Sequence, residues 1–239
     1  MSENSISILS TRPIDKSLIE KAALHNIKLE AITFIDIKKE LSDETLERIK
    51  QLTAEQATVV FTSMNSVEIF IDILSDKLTI PDWKIYCMGG TTFTLIKKFW
   101  PYESIAGTAK DSAELAQKIV AGNIREVHFF CGNKRREELP LLLQNEGIRV
   151  NELVIYETIE IPVQITKSYN GILFFSPSAV HSFFGNNEIN DSTILFAIGN
   201  TTAKTIRQFC SNEIVISEFP SKEQLVERAI EMMSSFLNH

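Results

Sequence analysis

Three short blocks recur in the same order, at nearly one spacing, along this 239-residue chain. Phe61-Thr62-Ser63-Met64-Asn65-Ser66-Val67 resembles Phe174-Phe175-Ser176-Pro177-Ser178-Ala179-Val180, 113 residues later. Met88-Gly89-Gly90-Thr91-Thr92 resembles Ile198-Gly199-Asn200-Thr201-Thr202, and Glu114-Leu115 resembles Gln224-Leu225, both at an offset of 110. Ordered self-similarity of this kind is the mark of duplicated architecture, so the chain has to fold as two similar units.

What each unit is made of follows from hydrophobic patterning. Short apolar runs predict strands over 6–9, 28–35, 58–61, 84–88, 104–105, 126–131, 149–156, 171–175, 193–198 and 213–216. Between them apolar residues fall at helical spacing, as at Val67, Phe70, Ile71 and Leu74, or at Leu115, Ala116, Ile119 and Val120. Strand alternating with helix predicts parallel sheets covered on both faces.

The segment 6–37 has the layout of 126–159: an apolar strand, a polar turn carrying arginine, a helix, then a long extended run. The first unit therefore opens, is interrupted by the whole of the second, and is completed from Gly171 onward. The expected division is a discontinuous α/β domain over 1–33 and 161–239, an inserted α/β domain over 38–154, and connecting strands at 34–37 and 155–160. Long strands around 31–37 and 153–159 would carry the chain out and back, and two such thin connections predict a hinge.

Charge narrows the partners. A formal net charge of -7 disfavours nucleic acid and anionic membrane surfaces, but not an anionic small molecule held by backbone amides. Cys87, Cys131 and Cys210 lie far apart in or beside apolar stretches and read as buried, reduced thiols. His25, His128, His181 and His239 form no ligand-spaced cluster, so no metal site is expected. The first ten residues lack the basic start of a signal peptide, and no apolar run approaches the ~20 residues of a membrane span. A cytoplasmic protein is expected. A monomer is expected too, because no helical seam stands out.

In parallel α/β sheets ligands bind beyond the carboxyl ends of the strands. The residues there are rich in hydroxyls: Ser10-Thr11-Arg12, Thr62-Ser63, Gly89 to Thr92, Ser176-Pro177-Ser178, and Gly199 to Thr202. Each segment alone reads as a helix N-cap, since serine and threonine favour that position, and Pro177 suits the first helical residue. Directed at one ligand they would instead offer several helix starts, with free N–H groups and partial positive charge, to a molecule bearing many carboxylates. Arg12, Arg135 and Arg136 are the basic residues nearest this chemistry, although one of the arginine pair is expected to be tied up by Glu137 or Glu138. Tyr156, on the second long strand, reads from periodicity alone as a packing residue. No Ser/His/Asp set, Walker loop, GxGxxG motif or paired-carboxylate signature occurs. The residues by themselves lead to a two-lobed binder of a polyanionic small molecule.

The block Phe129-Phe130-Cys131-Gly132-Asn133-Lys134-Arg135-Arg136-Glu137-Glu138-Leu139-Pro140, continuing through Gly147 and Val150 to Val154-Ile155-Tyr156-Glu157-Thr158, resembles the central signature of uroporphyrinogen-III synthases. The hydroxyl-rich turns and Ala197 to Ala203 resemble that family's other blocks, in order and over nearly the whole chain. The resemblance implies two flavodoxin-like parallel-sheet domains joined by a two-strand connector, the first domain discontinuous. It implies a lyase of porphyrin biosynthesis that takes hydroxymethylbilane, a linear tetrapyrrole with eight carboxylates, to uroporphyrinogen III and water. No cofactor or metal is implied. The uncatalysed reaction gives the isomer with an uninverted last ring, so the enzyme must promote loss of the hydroxyl, form a spiro intermediate at that ring and suppress direct closure.

By the same resemblance Tyr156 matches the acid that helps the hydroxyl leave. Thr62, Ser63, Thr92, Ser176, Ser178, Thr201 and Thr202 match positions binding the acetate and propionate arms, with Arg12 and Arg136 beside them. Two positions depart from the pattern: Phe93 stands where alanine is usual, and Gly90 loosens the same turn. The alternative is a non-catalytic tetrapyrrole or other polyanion sensor on the same scaffold, which the lack of a DNA-binding or receiver segment disfavours. A periplasmic-type binding protein is disfavoured by the missing export signal.

Overall fold

The computed structural model describes residues 6–74, 80–218 and 221–236. His239 and the first five residues, on which the signal-peptide reading partly rests, lie outside them. The chain divides into two compact units, residues 1–36 with 159–239, and residues 37–158.

In the first unit, strands β1 (Ile6–Ser10) and β2 (Ile27–Ala31) flank helix α1 (Lys16–Leu24). The chain then leaves through β3 (Ile35–Lys39) for the second unit. There α2 (Asp43–Thr53), β4 (Ala57–Phe61), α3 (Met64–Leu74), β5 (Trp83–Met88), α4 (Thr91–Ile96), β6 (Ile105–Ala109) and α5 (Ser112–Ala121) follow in turn. Strand β7 (Glu126–Gly132), helix α6 (Glu138–Asn145) and the twelve-residue β8 (Arg149–Glu160) end the second unit and lead back. The first unit is completed by β9 (Gly171–Phe174), α7 (Pro177–Phe184), β10 (Ile194–Ala197), α8 (Asn200–Ile206), β11 (Ile214–Ile216) and α9 (Lys222–Ser235).

The first unit's sheet has the order β11-β10-β9-β1-β2, and its strand pairs are all parallel. In chain order this is the 2-1-3-4-5 arrangement of flavodoxin-like sheets. The second unit's order is β3-β8-β7-β4-β5-β6. It is the same arrangement with its first two strands, β7 and β8, moved to the end of the segment, plus β3 on the edge. That is the physical content of the repeat, because β4–α3 corresponds to β9–α7 and β5–α4 to β10–α8.

Period-two alternation builds the cores. In the first unit Ile8, Leu173 and Phe196 pack with α9 residues such as Leu225 and Val226. Their strand neighbours Leu9, Ile172, Phe174 and Leu195 pack on the other face with Val180 and Phe183 of α7. In the second unit Phe61, Ile85 and Phe130 face Ile49, Leu52, Val67 and Phe70. Val60, Tyr86, Phe129 and Cys131 face Leu115, Ile119 and Leu143. Phe130 stacks on Phe61 at 5.0 Å, and Phe70 meets Trp83 at 5.0 Å. Cys87 and Cys131 are buried and free; Cys210 is free and half-buried.

Two strand readings need correction. The run expected over 28–35 and continuing to 37 is two strands, β2 and β3, separated at Ile32-Thr33-Phe34. Phe34 is fully buried against Phe183, ring centroids 5.2 Å apart, so the backbone must turn that side chain into the first unit's core. The pairing partner changes at the same place: Ile32 N–H donates to Ser10 O of β1, whereas Phe34 O accepts from Ile161 N–H beyond β8. Glu40 N–H donates to Ile155 O, so β3 advances as β8 recedes and the two run antiparallel. The second correction is β6, which runs Ile105–Ala109 rather than 104–105. Its Ile-Ala-Gly-Thr-Ala sequence has little strand propensity, and pairing with β5 at the sheet edge supplies what the residues lack.

Candidate functional site

Because the strands of each sheet, β3 apart, run parallel, their carboxyl ends gather on one edge. In the first unit that edge carries Arg12 after β1, Ser176 and Ser178 after β9, and Thr201 and Thr202 after β10. In the second it carries Thr62 and Ser63 after β4, Thr92 after β5, and Arg136 after β7.

Some of these hydroxyls serve the fold. Ser176 is the N-cap of α7 and accepts from Ala179 N–H at 3.2 Å, with Pro177 following at the first helical position. Ser63 accepts from Asn65 N–H at 3.1 Å, tying the entry to α3. Ser10 donates to Arg12 O at 2.6 Å and Thr11 to Leu173 O at 2.8 Å, so both brace the turn that presents Arg12. The Arg12 guanidinium lies 5.5 Å from the centre of the Phe175 ring, in cation–π range.

The others serve no such purpose. The side chains of Thr62, Thr92, Ser178, Thr201 and Thr202 make no hydrogen bond among the described residues. Thr92 and Thr202 are largely covered, at 5% and 3% exposure, yet their hydroxyl oxygens are not sealed: among the described residues the one sealed, unpartnered side-chain atom is His128 Nδ1. The N-cap positions of α4 and α8 are taken by Gly90 and Gly199, neither of which offers a side-chain cap. Thr92 and Thr202 therefore stand inside the first turn with hydroxyls that neither cap the helix nor bond to another described residue. Gly90 has φ 68°, a conformation that explains why glycine occupies this turn. Phe93 packs against the second unit's core and carries Lys97 over its ring at 5.2 Å.

Of the two adjacent arginines, Arg135 is the one tied up, by Glu137 at 2.6 Å and Glu152 at 2.6 Å. Both carboxylates raise its pKa further. Arg136 is exposed and has no ion pair among the described residues.

Tyr156 is 8% exposed and belongs to the second unit's aromatic core. Burial pushes its phenol pKa up, and the neighbouring Ser63 hydroxyl draws it partly back. Its position is set by a shift in register: Cys131 pairs with Val154, but Gly132 pairs with Tyr156. Ile155 and Tyr156 are consequently both buried, in a break of the alternation. Asn133 then closes the end of the strand, its N–H donating to Tyr156 O at 3.1 Å and its Oδ1 accepting from Thr158 N–H at 2.9 Å. Gly132 and Asn133 stand in the block that carries the family resemblance but have no role of their own there, and the signal that points to one is a glycine ending an apolar strand.

A cavity of about 240 Å³ lies at the opposite edge of the first unit's sheet, lined by Lys167, Tyr169, Glu188 and Asn190 among others; it contains none of the residues above. Among the described residues no group of three or more His, Cys, Asp or Glu could hold a metal ion, and no helix is long and apolar enough to cross a membrane.

Two duplicated parallel α/β units, each edged with unpartnered hydroxyls at helix starts, define a two-unit α/β protein of flavodoxin-like sheet order. Comparison with known proteins narrows this class. The family profile of uroporphyrinogen-III synthase HemD matches residues 17–227, so the chain belongs to the uroporphyrinogen-III synthase family. A uroporphyrinogen-III synthase from Chlorobaculum parvum is 25% identical over 248 residues, covering 94% of this chain and 99% of that protein. Among solved structures, a mutant uroporphyrinogen III synthase of Thermus thermophilus superposes with TM-score 0.69 at 12% identity, covering 98% of this chain and 100% of that one. The Helicobacter pylori uroporphyrinogen-III synthetase gives 0.61 at 16% identity, covering 95% and 99%. These two likenesses establish the shared fold. The chain is an enzyme of porphyrin biosynthesis, a cyclising lyase that makes uroporphyrinogen III. The non-catalytic alternative draws no support from these comparisons.

Proposed function

We propose that this chain closes hydroxymethylbilane to uroporphyrinogen III with Tyr156 as proton donor and the hydroxyl-tipped turns of both units as holders of the carboxylate arms. The observation that carries the reading is the set of five hydroxyls, on Thr62, Thr92, Ser178, Thr201 and Thr202, without partners among the described residues at the carboxyl edges of the two sheets. A ligand with eight carboxylates can use each of them together with the free N–H groups of the adjoining helix starts. Ser63, Ser176, Arg12 and Arg136 complete the proposed set. The two arginines give charge where the hydroxyls give direction.

The chemistry asked of the protein is small. The phenol gives its proton to the departing hydroxyl, which leaves as water, and a cation develops on the terminal pyrrole and its methylene. That cation then offsets the buried phenolate. A phenol with ordinary pKa ~10, raised by burial, stays protonated throughout the physiological range and is ready to donate. The remaining task is conformational: holding the arms so that attack at the substituted end of the last ring, leading to the spiro intermediate, outruns direct closure. The protein is proposed to act as a cytoplasmic monomer needing neither cofactor nor nucleic acid, in keeping with the net charge of -7.

The test is turnover of enzymatically generated hydroxymethylbilane by Tyr156→Phe. A drop of at least ~10-fold in the rate of type III formation is expected, since a positioned acid contributes at least that much. Turnover equal to the unmodified protein would remove Tyr156 from the mechanism.

A further inference from the structure

We infer that Gly132 and Asn133 are positioning residues for the proposed acid: the missing side chain of Gly132 is the seat on which the Tyr156 ring lies, and Asn133 holds the backbone of that segment in the shifted register. This rests on the reading of Tyr156 as the acid.

The geometry is specific. A Cβ built on Gly132 falls 2.8 Å from Tyr156 Cδ2, 2.5 Å from Cζ and closer still to Cε2. The obstacle is the ring itself, which cannot give way as the end of a flexible chain would. Any residue but glycine forces the ring off the strand. The conformation of Gly132 is not the cause, because its φ is not in the positive range; the requirement is space alone.

The register shift makes the seat. Had β8 continued in register from Cys131–Val154, Ile155 would stand opposite Gly132. The extra residue advances Tyr156 by one position and puts it against the only side-chain-free position of β7. Bulges next to active sites re-aim side chains in this way. Asn133 then secures the shift from both sides: its N–H donates to Tyr156 O, and its Oδ1 accepts from Thr158 N–H. With the ring pinned by glycine and the main chain by asparagine, the phenol has little freedom left.

The experiment is a double-mutant cycle of Gly132→Ala with Tyr156→Phe, read as kcat and KM for hydroxymethylbilane alongside thermal unfolding. Gly132→Ala is expected to lower kcat by about as much as Tyr156→Phe, with KM within roughly twofold, and the double variant to be no slower than either single one, since residues acting through one group are not additive. A positioning role moves kcat in this non-additive way; a merely structural role lowers unfolding temperature and adds to the Tyr156→Phe loss. Asn133 is exposed, so Asn133→Ala keeps the fold even where Gly132→Ala does not. It is expected to lose several-fold in kcat, again without adding to Tyr156→Phe. Near-normal kcat in Gly132→Ala or in Asn133→Ala, or losses that add, overturns the inference. The failure of the underlying reading is distinguishable, because then Tyr156→Phe itself is fully active.

Discussion

Thr202 separates a ligand-binding hydroxyl from a helix cap, and valine is the substitution that does it. Valine keeps nearly the shape of threonine and removes one hydroxyl. That hydroxyl has no partner among the described residues, and the N-cap position of α8 belongs to Gly199, three residues earlier. Folding stability should therefore hold or rise slightly, because nothing inside the chain loses a hydrogen bond. A hydrogen bond to a charged group contributes about 1.5–3 kcal/mol, so affinity for uroporphyrinogen III should fall roughly 10- to 150-fold at ~1.4 kcal/mol per decade. Ser176→Ala is the control in the other direction. Its hydroxyl accepts from Ala179 N–H, so the loss should destabilise by ~1 kcal/mol. For a unit of this size that lowers Tm by about 4 °C. The assays are anaerobic titration calorimetry with the product and thermal unfolding by circular dichroism. Unchanged affinity in Thr202→Val refutes the assignment of that hydroxyl to the ligand. A fall of several degrees in its unfolding temperature refutes the premise that it has no role in the fold.

Two further outcomes concern the second unit. His128 is 5% exposed with Nδ1 unpartnered, and burial, reinforced by Arg48 against Glu126 and Glu55, holds its pKa below the ordinary ~6.5. The unfolded chain thus takes up this proton first, so the contribution is full above about pH 6.5 and shrinks as pH falls below it. His128→Leu should flatten the decline in urea midpoint between about pH 7 and pH 5, and parallel profiles for the two proteins would remove His128 as its source. Burial pushes the thiols of Cys87 and Cys131 up to about 12 and raises that of the half-buried Cys210 as well, so with a disulfide reagent at neutral pH Cys210, the one with solvent access, should react first in the folded protein. Rapid labelling of all three without denaturant would contradict the packing around β5 and β7.

How much of this was legible in the residues depends on whether the cause is local. The strand-ending hydroxyls were, because a block such as Phe174-Phe175-Ser176-Pro177 announces strand, cap and helix within four residues. The two parallel sheets were, because each strand is a short apolar run and the helical stretches between them carry their own period. The division of labour among hydroxyls was not. Ser176 and Thr202 look alike in sequence, and only the structure shows the first capping α7 while Gly199 occupies the cap of α8. The break at Phe34 escaped because its reason is a contact with Phe183, about 150 residues away. The seat of Tyr156 escaped for a similar reason, since a register shift belongs to a pair of strands and neither β7 nor β8 encodes it alone. Arg135 and Arg136 are adjacent, and their different fates follow from Glu152 on the neighbouring strand.

The proposed mechanism has strand-end hydroxyls and helix starts holding a linear octa-acid so that only the inverting closure proceeds. Its most direct test is the isomer composition of uroporphyrin, after oxidation, when the purified protein is supplied with hydroxymethylbilane in a coupled assay. Type III is expected to dominate, with a share that grows with protein concentration. A product that keeps the type I composition of the uncatalysed reaction at every concentration would contradict that mechanism.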